Sequence, residues 1–134
     1  MSQTYILLAH GSRRAESNFE VQQLAQRLSQ QLAAPVMAAF LEQCQPSLGV
    51  ACDALFTDGS SQIRVLPYLL AAGRHLAEDI PAQLTACRQR WPQRRIDCSP
   101  HVGAAPLMLE LLADLARHDE HATQTGETDV RTAQ

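Results

Sequence analysis

Short apolar segments alternate along this chain with longer segments whose apolar residues recur at helical spacing. Three apolar segments have the length and composition of buried strands: residues 5–9, 36–41 and 63–66. The segment 95–98 is expected to form a fourth strand. The segment 14–32 places its apolar residues three or four positions apart, as on one face of an amphipathic helix. Strands that alternate with helices predict βαβ units, and therefore a mainly parallel α/β sheet of four or five strands with right-handed crossovers.

Proline and glycine mark where the other helices are expected. Pro46 suits the first turn of a second helix, which ends at Asp58 and Gly59. A third helix is expected to begin around Leu76 or Pro81 and to end at Arg90. Pro106 precedes a last helix, whose leucines are expected to face inward: Leu107, Leu111, Leu112 and Leu115.

Length and composition fit one compact domain. The chain has 134 residues, 46% of them hydrophobic and 19% charged, which excludes a mainly disordered protein. We predict a single α/β domain over residues 1–117. Residues 118–134 are almost devoid of apolar side chains, so we predict a disordered tail there.

Charge and cysteine usage exclude several classes of function. The net charge is −3 and no lysine is present, which argues against nucleic-acid partners, membrane surfaces and lysine-based catalysis. We see neither a membrane-spanning stretch nor a signal peptide, and therefore expect a cytoplasmic protein. The four cysteines lack metal-ligand spacing and are expected to be reduced and mostly buried: Cys44, Cys52, Cys87 and Cys98.

Metal-capable side chains follow every predicted strand. His10 follows the first strand, Glu42 the second, His75 the third and His101 the fourth. Because ligands of open parallel sheets bind outside the carboxyl ends of the strands, we expect a shared site at that edge. Imidazole and carboxylate suit borderline divalent ions, and imidazole can also accept protons near neutral pH. The pattern therefore predicts a site that binds a metal ion loosely and accepts protons beside it, as metal transfer requires.

Three motifs resemble the CbiX family of short sirohydrochlorin cobaltochelatases, which are related to the sirohydrochlorin ferrochelatases. They are LLAHGSR at residues 7–13, FLEQCQPSL at 40–48 and VLPYLLAAGRHLAEDIP at 65–81. The resemblance extends over about residues 4–117. It implies a flavodoxin-like, chelatase-type fold, and a homodimer equivalent to the two halves of longer chelatases. It also implies ATP-independent insertion of Co²⁺, Fe²⁺ or Ni²⁺ into sirohydrochlorin or a similar reduced tetrapyrrole, without an organic cofactor.

The resemblance also implies roles for individual residues. His10 and His75 match the histidines that bind metal and accept protons, and Glu42 matches the acidic residue of the second motif. Arg13, Arg14 and Arg74 flank the histidine motifs and could bind the carboxylates of a tetrapyrrole through guanidinium forks. His101 matches no role in the family, so it is either a supporting residue of the site or a turn residue.

One segment departs from the family's first motif, and two further pairs of charged or metal-capable residues lie outside the three motifs. Arg14, Ala15, Glu16 and Ser17 follow the first motif, where the family often has an acidic turn. Arg94 and Arg95 lie at the entry to the fourth strand, on the edge of the sheet opposite the expected site, and are expected on a solvated face. His118 and His121 in the tail could collect metal ions, or could simply be exposed polar residues.

Other functions fit the residues less well. A histidine phosphatase needs an arginine directly before its histidine, and Ala9 occupies that position. An α/β-hydrolase needs a G-x-S-x-G turn, which the sequence lacks. A metal carrier or tetrapyrrole-binding protein that uses the same residues without turnover remains the alternative to a chelatase.

Overall fold

The strands form one parallel sheet. The structure is a computed structural model that describes residues 2–71 and 73–118, with His75 given by its backbone. The four strands are β1 (Ser2–Ala9), β2 (Val36–Phe40), β3 (Ser60–Pro67) and β4 (Arg95–Cys98). Their order is β2-β1-β3-β4, and each neighbouring pair is parallel. The predicted mainly parallel α/β sheet is confirmed, with four strands.

The helices follow the strands in the predicted alternation. They are α1 (Ala15–Leu32), α2 (Leu48–Thr57), α3 (Arg74–Arg90) and α4 (Leu107–Arg117), with a 3₁₀ turn at Val102–Ala104 before α4. The chain divides into two compact units, Met1–Ala104 and Ala105–Gln134. The first contains the sheet, α1, α2 and α3, and the second contains α4. The predicted tail from residue 118 lies outside the described residues except for His118, which follows α4. No helix in the described ranges has the length and apolarity of a membrane span.

The sheet buries both of its faces, as parallel sheets do. On one face, Ile6 and Leu8 of β1 pack in a core cluster with residues of α2 and α3, such as Phe56 and Leu84. On the other face, Leu7 and Ala9 pack with Phe40, and Ala25 of α1 covers them. The residues from Ile6 to Ala9 are all buried and join the two clusters in turn, because successive side chains of a strand point to opposite faces. The central strand is therefore held from both sides up to the residue before His10.

The helix ends have identifiable causes, and two predicted starts are wrong. Ser47 caps α2, since its hydroxyl oxygen accepts a hydrogen bond from the Val50 N–H at 3.2 Å. Pro46 therefore precedes the cap instead of lying in the first turn. Helix α3 begins at Arg74, near the start expected around Leu76, and contains Pro81, the alternative start, in its interior. Proline there removes one N–H donor, and the helix continues through it.

Two expectations about packing are also wrong. The α4 leucines expected to face inward, Leu107, Leu111, Leu112 and Leu115, are between 50% and 74% exposed. Arg94 is half-buried rather than solvated, because its guanidinium lies 5.3 Å from the centre of the Phe56 ring and donates to the Ser60 carbonyl oxygen. Arg95, by contrast, is exposed and pairs with Asp97.

The cysteines behave largely as predicted. All four are free thiols; Cys52 and Cys87 are buried, and Cys44 and Cys98 are half-buried. The hydrogen bond to Cys87, together with burial, raises the pKa of the Cys52 thiol well above its ordinary range. Cys52 therefore stays protonated and acts as a small core residue.

Candidate metal site

The carboxyl edge of the sheet carries the residues that the sequence singled out. His10 directly follows β1, and Glu42 is the second residue after β2. His75 is the second residue of α3, which follows β3, and His101 lies three residues after β4. The strand order therefore arranges the segments along the edge as Glu42, His10, His75 and His101. This is the edge at which open α/β sheets bind their ligands.

His10 and Glu42 form a side-chain pair. The His10 Nε2 lies 2.6 Å from the Glu42 Oε2, and the two side chains are 49% and 58% exposed. When the carboxylate is ionised it can only accept, so Nε2 is then the donor in this hydrogen bond, and a neutral imidazole leaves Nδ1 as an acceptor. The pair thus combines a base with a negative charge at a position open to solvent.

Backbone hydrogen bonds bring the two residues together. The Leu41 N–H donates to the Ala9 carbonyl oxygen at 2.9 Å, and the Glu42 N–H donates to the His10 carbonyl oxygen at 3.0 Å. These bonds extend the β1–β2 pairing past the last residues of both strands. The pair consequently lies on backbone that the sheet itself holds in place.

Gly11 permits the close approach of the two loops. Its φ of 99° lies in the left-handed region, which side chains disfavour. A Cβ atom at this position would lie 1.8 Å from the Glu42 carbonyl oxygen. Only glycine therefore allows the backbone after His10 to pack directly against the backbone of Glu42.

Asn18 of α1 holds the next residue of the same loop. Its Oδ1 accepts from the Ser12 N–H at 3.0 Å, and its Nδ2 donates to the Ser12 carbonyl oxygen at 2.8 Å. The Ser12 hydroxyl in turn accepts from the Arg14 N–H at 3.0 Å. The sequence analysis did not identify Asn18. The available signal was an asparagine in the first turns of a helix that follows a Gly-Ser loop, since asparagine readily bonds nearby backbone.

Metal binding by the pair would require its hydrogen bond to open. Ligands bound to one ion at bond lengths of about 2.0–2.2 Å lie about 3 Å or more apart, which exceeds the Nε2–Oε2 distance found here. If Nε2 is to bind the ion, it must also release the proton that it shares with Glu42. The pair can therefore exchange a proton for a metal ion.

The other two predicted members of the site are His75 and His101. His75 lies in the first turn of α3, and its approach to the pair remains a prediction. No third His, Cys, Asp or Glu among the described side chains joins the pair to form a metal-binding group, and His101 is among those described. The His101 carbonyl oxygen accepts from the Ala104 N–H at 2.9 Å, which favours its interpretation as a turn residue.

The three candidate arginines are exposed near the two histidine motifs. Arg13 and Arg14 lie between β1 and α1, and Arg74 is the first residue of α3. The Arg14 side chain approaches Glu16 at 3.9 Å, with both groups 75% exposed, so this ion pair contributes little. Binding of substrate carboxylates by these arginines remains a prediction.

Two open cavities flank the loop that carries Glu42. One, of about 450 Å³, is lined by the loop itself and includes Glu42 and Ser47. A larger one, of about 660 Å³, runs along α1 and includes Phe19 and Cys44. Neither cavity includes His10 in its lining, so Glu42 is the member of the pair that borders the first cavity.

Comparison with known proteins identifies relatives of two lengths. A family model described as CbiX matches residues 4–119. The sirohydrochlorin cobaltochelatase of Methanosarcina barkeri is 32% identical over 114 residues, which cover 82% of this chain and 88% of that protein. The sirohydrochlorin ferrochelatase of Bacillus subtilis is 28% identical over 104 residues, which cover 77% of this chain and 40% of that protein. The match to the chloroplastic sirohydrochlorin ferrochelatase of Arabidopsis thaliana covers 51% of that protein. The chain thus spans about half of these ferrochelatases, or somewhat less.

Solved structures show the same relation. A cobalamin biosynthesis CbiX protein from Marinobacter aquaeolei superposes with a TM-score of 0.77 at 27% identity, covering 92% of this chain and 99% of that one. The sirohydrochlorin chelatase SirB from Bacillus subtilis in complex with cobalt superposes with a TM-score of 0.76 at 25% identity. That match covers 87% of this chain and 50% of SirB. The fold is therefore that of a chelatase structure, either whole or in one half.

Proposed function

The chain belongs to the CbiX family, and on that premise we propose that it inserts a divalent metal ion into sirohydrochlorin or a similar reduced tetrapyrrole. The observation that carries the proposal is the hydrogen-bonded pair of His10 and Glu42 at the carboxyl edge of the sheet. Relatives of similar and of double length are named as chelatases of sirohydrochlorin, which supports the same reaction here.

The proposed reaction exchanges two protons for one metal ion. The free macrocycle loses two pyrrole N–H protons, the ion sheds water, and four ring nitrogens become its ligands. No bond to carbon forms and no electron is transferred, so the reaction needs neither ATP nor an organic cofactor. A metal ligand and a proton acceptor on one side of the macrocycle are sufficient.

His10 and Glu42 supply both functions in this proposal. Opening of their hydrogen bond would leave the imidazole and the carboxylate free to bind the incoming ion or to take up pyrrole protons. We assign to His75 the role of a second imidazole that binds metal or accepts protons on the same side of the macrocycle. Arg13, Arg14 and Arg74 would bind the peripheral carboxylates of the substrate.

The metal ion is proposed to be Co²⁺, with Fe²⁺ and Ni²⁺ as competing substrates. Imidazole and carboxylate bind all three ions, so the ligand set does not select among them. The cobaltochelatase relative of similar length favours Co²⁺. A cytoplasmic location fits the reduced cysteines and is part of the proposal.

We also propose that the active form is a homodimer. The chain spans about half of the matched ferrochelatases, and the pair in one chain is open to solvent. A second copy would close the other side of a cleft large enough for a macrocycle. It would then occupy the place of the half that the longer relatives have in addition.

A direct assay tests the proposal. Purified protein is mixed with sirohydrochlorin under anaerobic conditions, and absorption spectra follow metallation with Co²⁺, Fe²⁺ and Ni²⁺ in parallel. We expect turnover above the uncatalysed rate, with at least about a tenfold loss in His10→Ala and a smaller loss in Glu42→Gln. Stoichiometric binding of metal or tetrapyrrole without turnover would identify a carrier instead. Wild-type rates in His10→Ala would remove the pair from the mechanism.

A further inference from the structure

The loop after β1 is fixed from two sides. On one side, the His10 carbonyl oxygen accepts from the Glu42 N–H, and Gly11 packs against the Glu42 backbone. On the other side, the Asn18 amide bonds both the N–H and the carbonyl oxygen of Ser12. Of the three consecutive residues, His10 and Gly11 are therefore tied to the β2–α2 loop, and Ser12 is tied to α1.

We propose that Asn18 is a positioning residue for His10. The hydrogen bonds described for the Asn18 side chain both go to Ser12, and none goes to His10 or Glu42. Asn18 would act on His10 through the backbone of Ser12, whose N–H and carbonyl group set the direction of the chain two residues after His10. A displaced Ser12 would turn the His10 imidazole away from Glu42 Oε2, which now lies 2.6 Å from Nε2.

The chemistry of the side chain accounts for asparagine at this position. A carboxamide is short and offers one acceptor and two donors, so it can pair with both backbone polar groups of one residue. Aspartate would retain the bond from the Ser12 N–H but would place a negative charge against the Ser12 carbonyl oxygen. Alanine would remove both bonds from a half-buried position.

In this proposal the backbone of the loop after β1 stays fixed, and the side chains of His10 and Glu42 move. Metal binding by both side chains requires the His10–Glu42 hydrogen bond to open, as the 2.6 Å distance shows. A backbone clamped at Ser12 would restrict that opening to rotations of the two side chains. The imidazole would then return to the same position after each turnover.

The experiment compares Asn18→Ala and Asn18→Asp with Gln23→Ala. Gln23 is an exposed amide on the same helix, so its removal is a matched control. The first measurement is the ¹⁵N NMR spectrum of the His10 ring, assigned by its loss in His10→Ala and compared with Glu42→Ala, in which the contact is absent. The second is Co²⁺ insertion into sirohydrochlorin, with kcat and KM determined separately, alongside the thermal midpoint.

We expect the His10 signals of Asn18→Ala to move toward those of Glu42→Ala. Turnover should fall by between about tenfold and about a hundredfold, as for a misplaced catalytic group. The KM for sirohydrochlorin should stay within about twofold, because Asn18 is not assigned to substrate binding. Asn18→Asp should lie between alanine and wild type in both measurements, and it carries the test if the alanine variant does not fold. Gln23→Ala should match wild type.

Other results would overturn the proposal. If Asn18→Ala lowers the thermal midpoint but leaves the His10 signals and kcat equal to those of Gln23→Ala, Asn18 has only a structural role. The expected change in turnover rests on the proposed chelatase function, whereas the change in the His10 ring does not. A wild-type protein without insertion activity would therefore refute the function, and the ring signals would still decide the role of Asn18.

Discussion

At the scale of single residues, Gly11 has two independent reasons to be glycine. Its φ is positive, and a Cβ would collide with the Glu42 carbonyl oxygen. Gly59 has only the first reason, since its φ is 110° and a Cβ there would meet no atom within 4 Å. The two positions therefore separate the cost of backbone strain from the cost of the collision.

We predict that Gly11→Ala destabilises the protein more than Gly59→Ala does. Strain alone should cost Gly59→Ala about 1 kcal/mol, and the collision should raise the cost for Gly11→Ala to about 3 kcal/mol. Urea denaturation of both variants measures the difference. Metal insertion should fall in Gly11→Ala alone, because only that substitution separates His10 from Glu42. Equal costs in the two variants would mean that the loops adjust without difficulty.

The thiols differ in accessibility, and this predicts an order of reaction. Cys44 is half-buried beside the cavity along α1, whereas Cys52 is fully buried. Alkylation requires the thiolate, and the raised pKa of Cys52 keeps that thiol protonated at neutral pH. We expect iodoacetamide to label Cys44 at least about tenfold faster than Cys52 at pH 8. Peptide mass spectrometry at timed intervals measures the two rates, and comparable rates would mean that the core around Cys52 opens readily.

At the scale of elements, the turn between β2 and α2 joins the site to the core. Phe40, the last residue of β2, donates from its N–H to the Pro46 carbonyl oxygen at 2.9 Å and forms a parallel bridge with Ser47. Glu42 lies within the loop that these contacts close. The cap of α2 therefore also anchors the segment that carries the carboxylate.

We predict that Ser47→Ala costs about 1 kcal/mol of stability, because the Val50 N–H loses its only described side-chain acceptor. Ser17→Ala is the control, since Ser17 is exposed in the first turn of α1 and should change stability by less than about 0.5 kcal/mol. Chemical denaturation at neutral pH compares the two. Equal effects would show that the hydroxyl of Ser47 does not stabilise the helix.

The sequence predicted the elements because their signals are local. The first three strands each contain a short apolar segment and the helices contain periodic ones, so most of the alternation was clear without tertiary information. The last strand, β4, is half charged and has the weakest signal. For α3, the start expected around Leu76 lies near the observed Arg74, whereas the alternative at Pro81 was wrong because the helix continues through that proline with one donor fewer. Arg94 was misplaced because its partners come from distant positions, among them Phe56 and Ser60.

The meeting of His10 and Glu42 was predictable for a different reason. In a parallel sheet all carboxyl ends share one edge, whatever the strand order, so residues just after strands lie near one another. The strand order itself depends on tertiary packing and decides which of them touch. The clamp of Ser12 by Asn18 was not predicted, because an asparagine side chain can bond several nearby backbone groups and the sequence does not show which.

At the scale of the whole molecule, we predict a homodimer in solution. The chain spans 40% of the Bacillus subtilis ferrochelatase and 88% of the Methanosarcina barkeri cobaltochelatase. A macrocycle needs a cleft with two walls, which we expect a second copy to complete. Light scattering at micromolar concentration should give twice the monomer mass, and dilution should lower that mass. A monomer throughout, together with full chelatase activity, would refute the dimer as the active form.

The small number of described donors in the His10–Glu42 pair has a consequence for how long an ion would stay. An ion held by one imidazole and one carboxylate, both open to solvent, keeps most of its hydration shell. Such an ion dissociates quickly, whereas four convergent ring nitrogens retain it through the chelate effect. The direction of transfer would then follow from denticity, and release of the ion would need no movement beyond the rotation of the His10 and Glu42 side chains. A protein site with more ligands would instead compete with the ring nitrogens for the ion and slow its transfer.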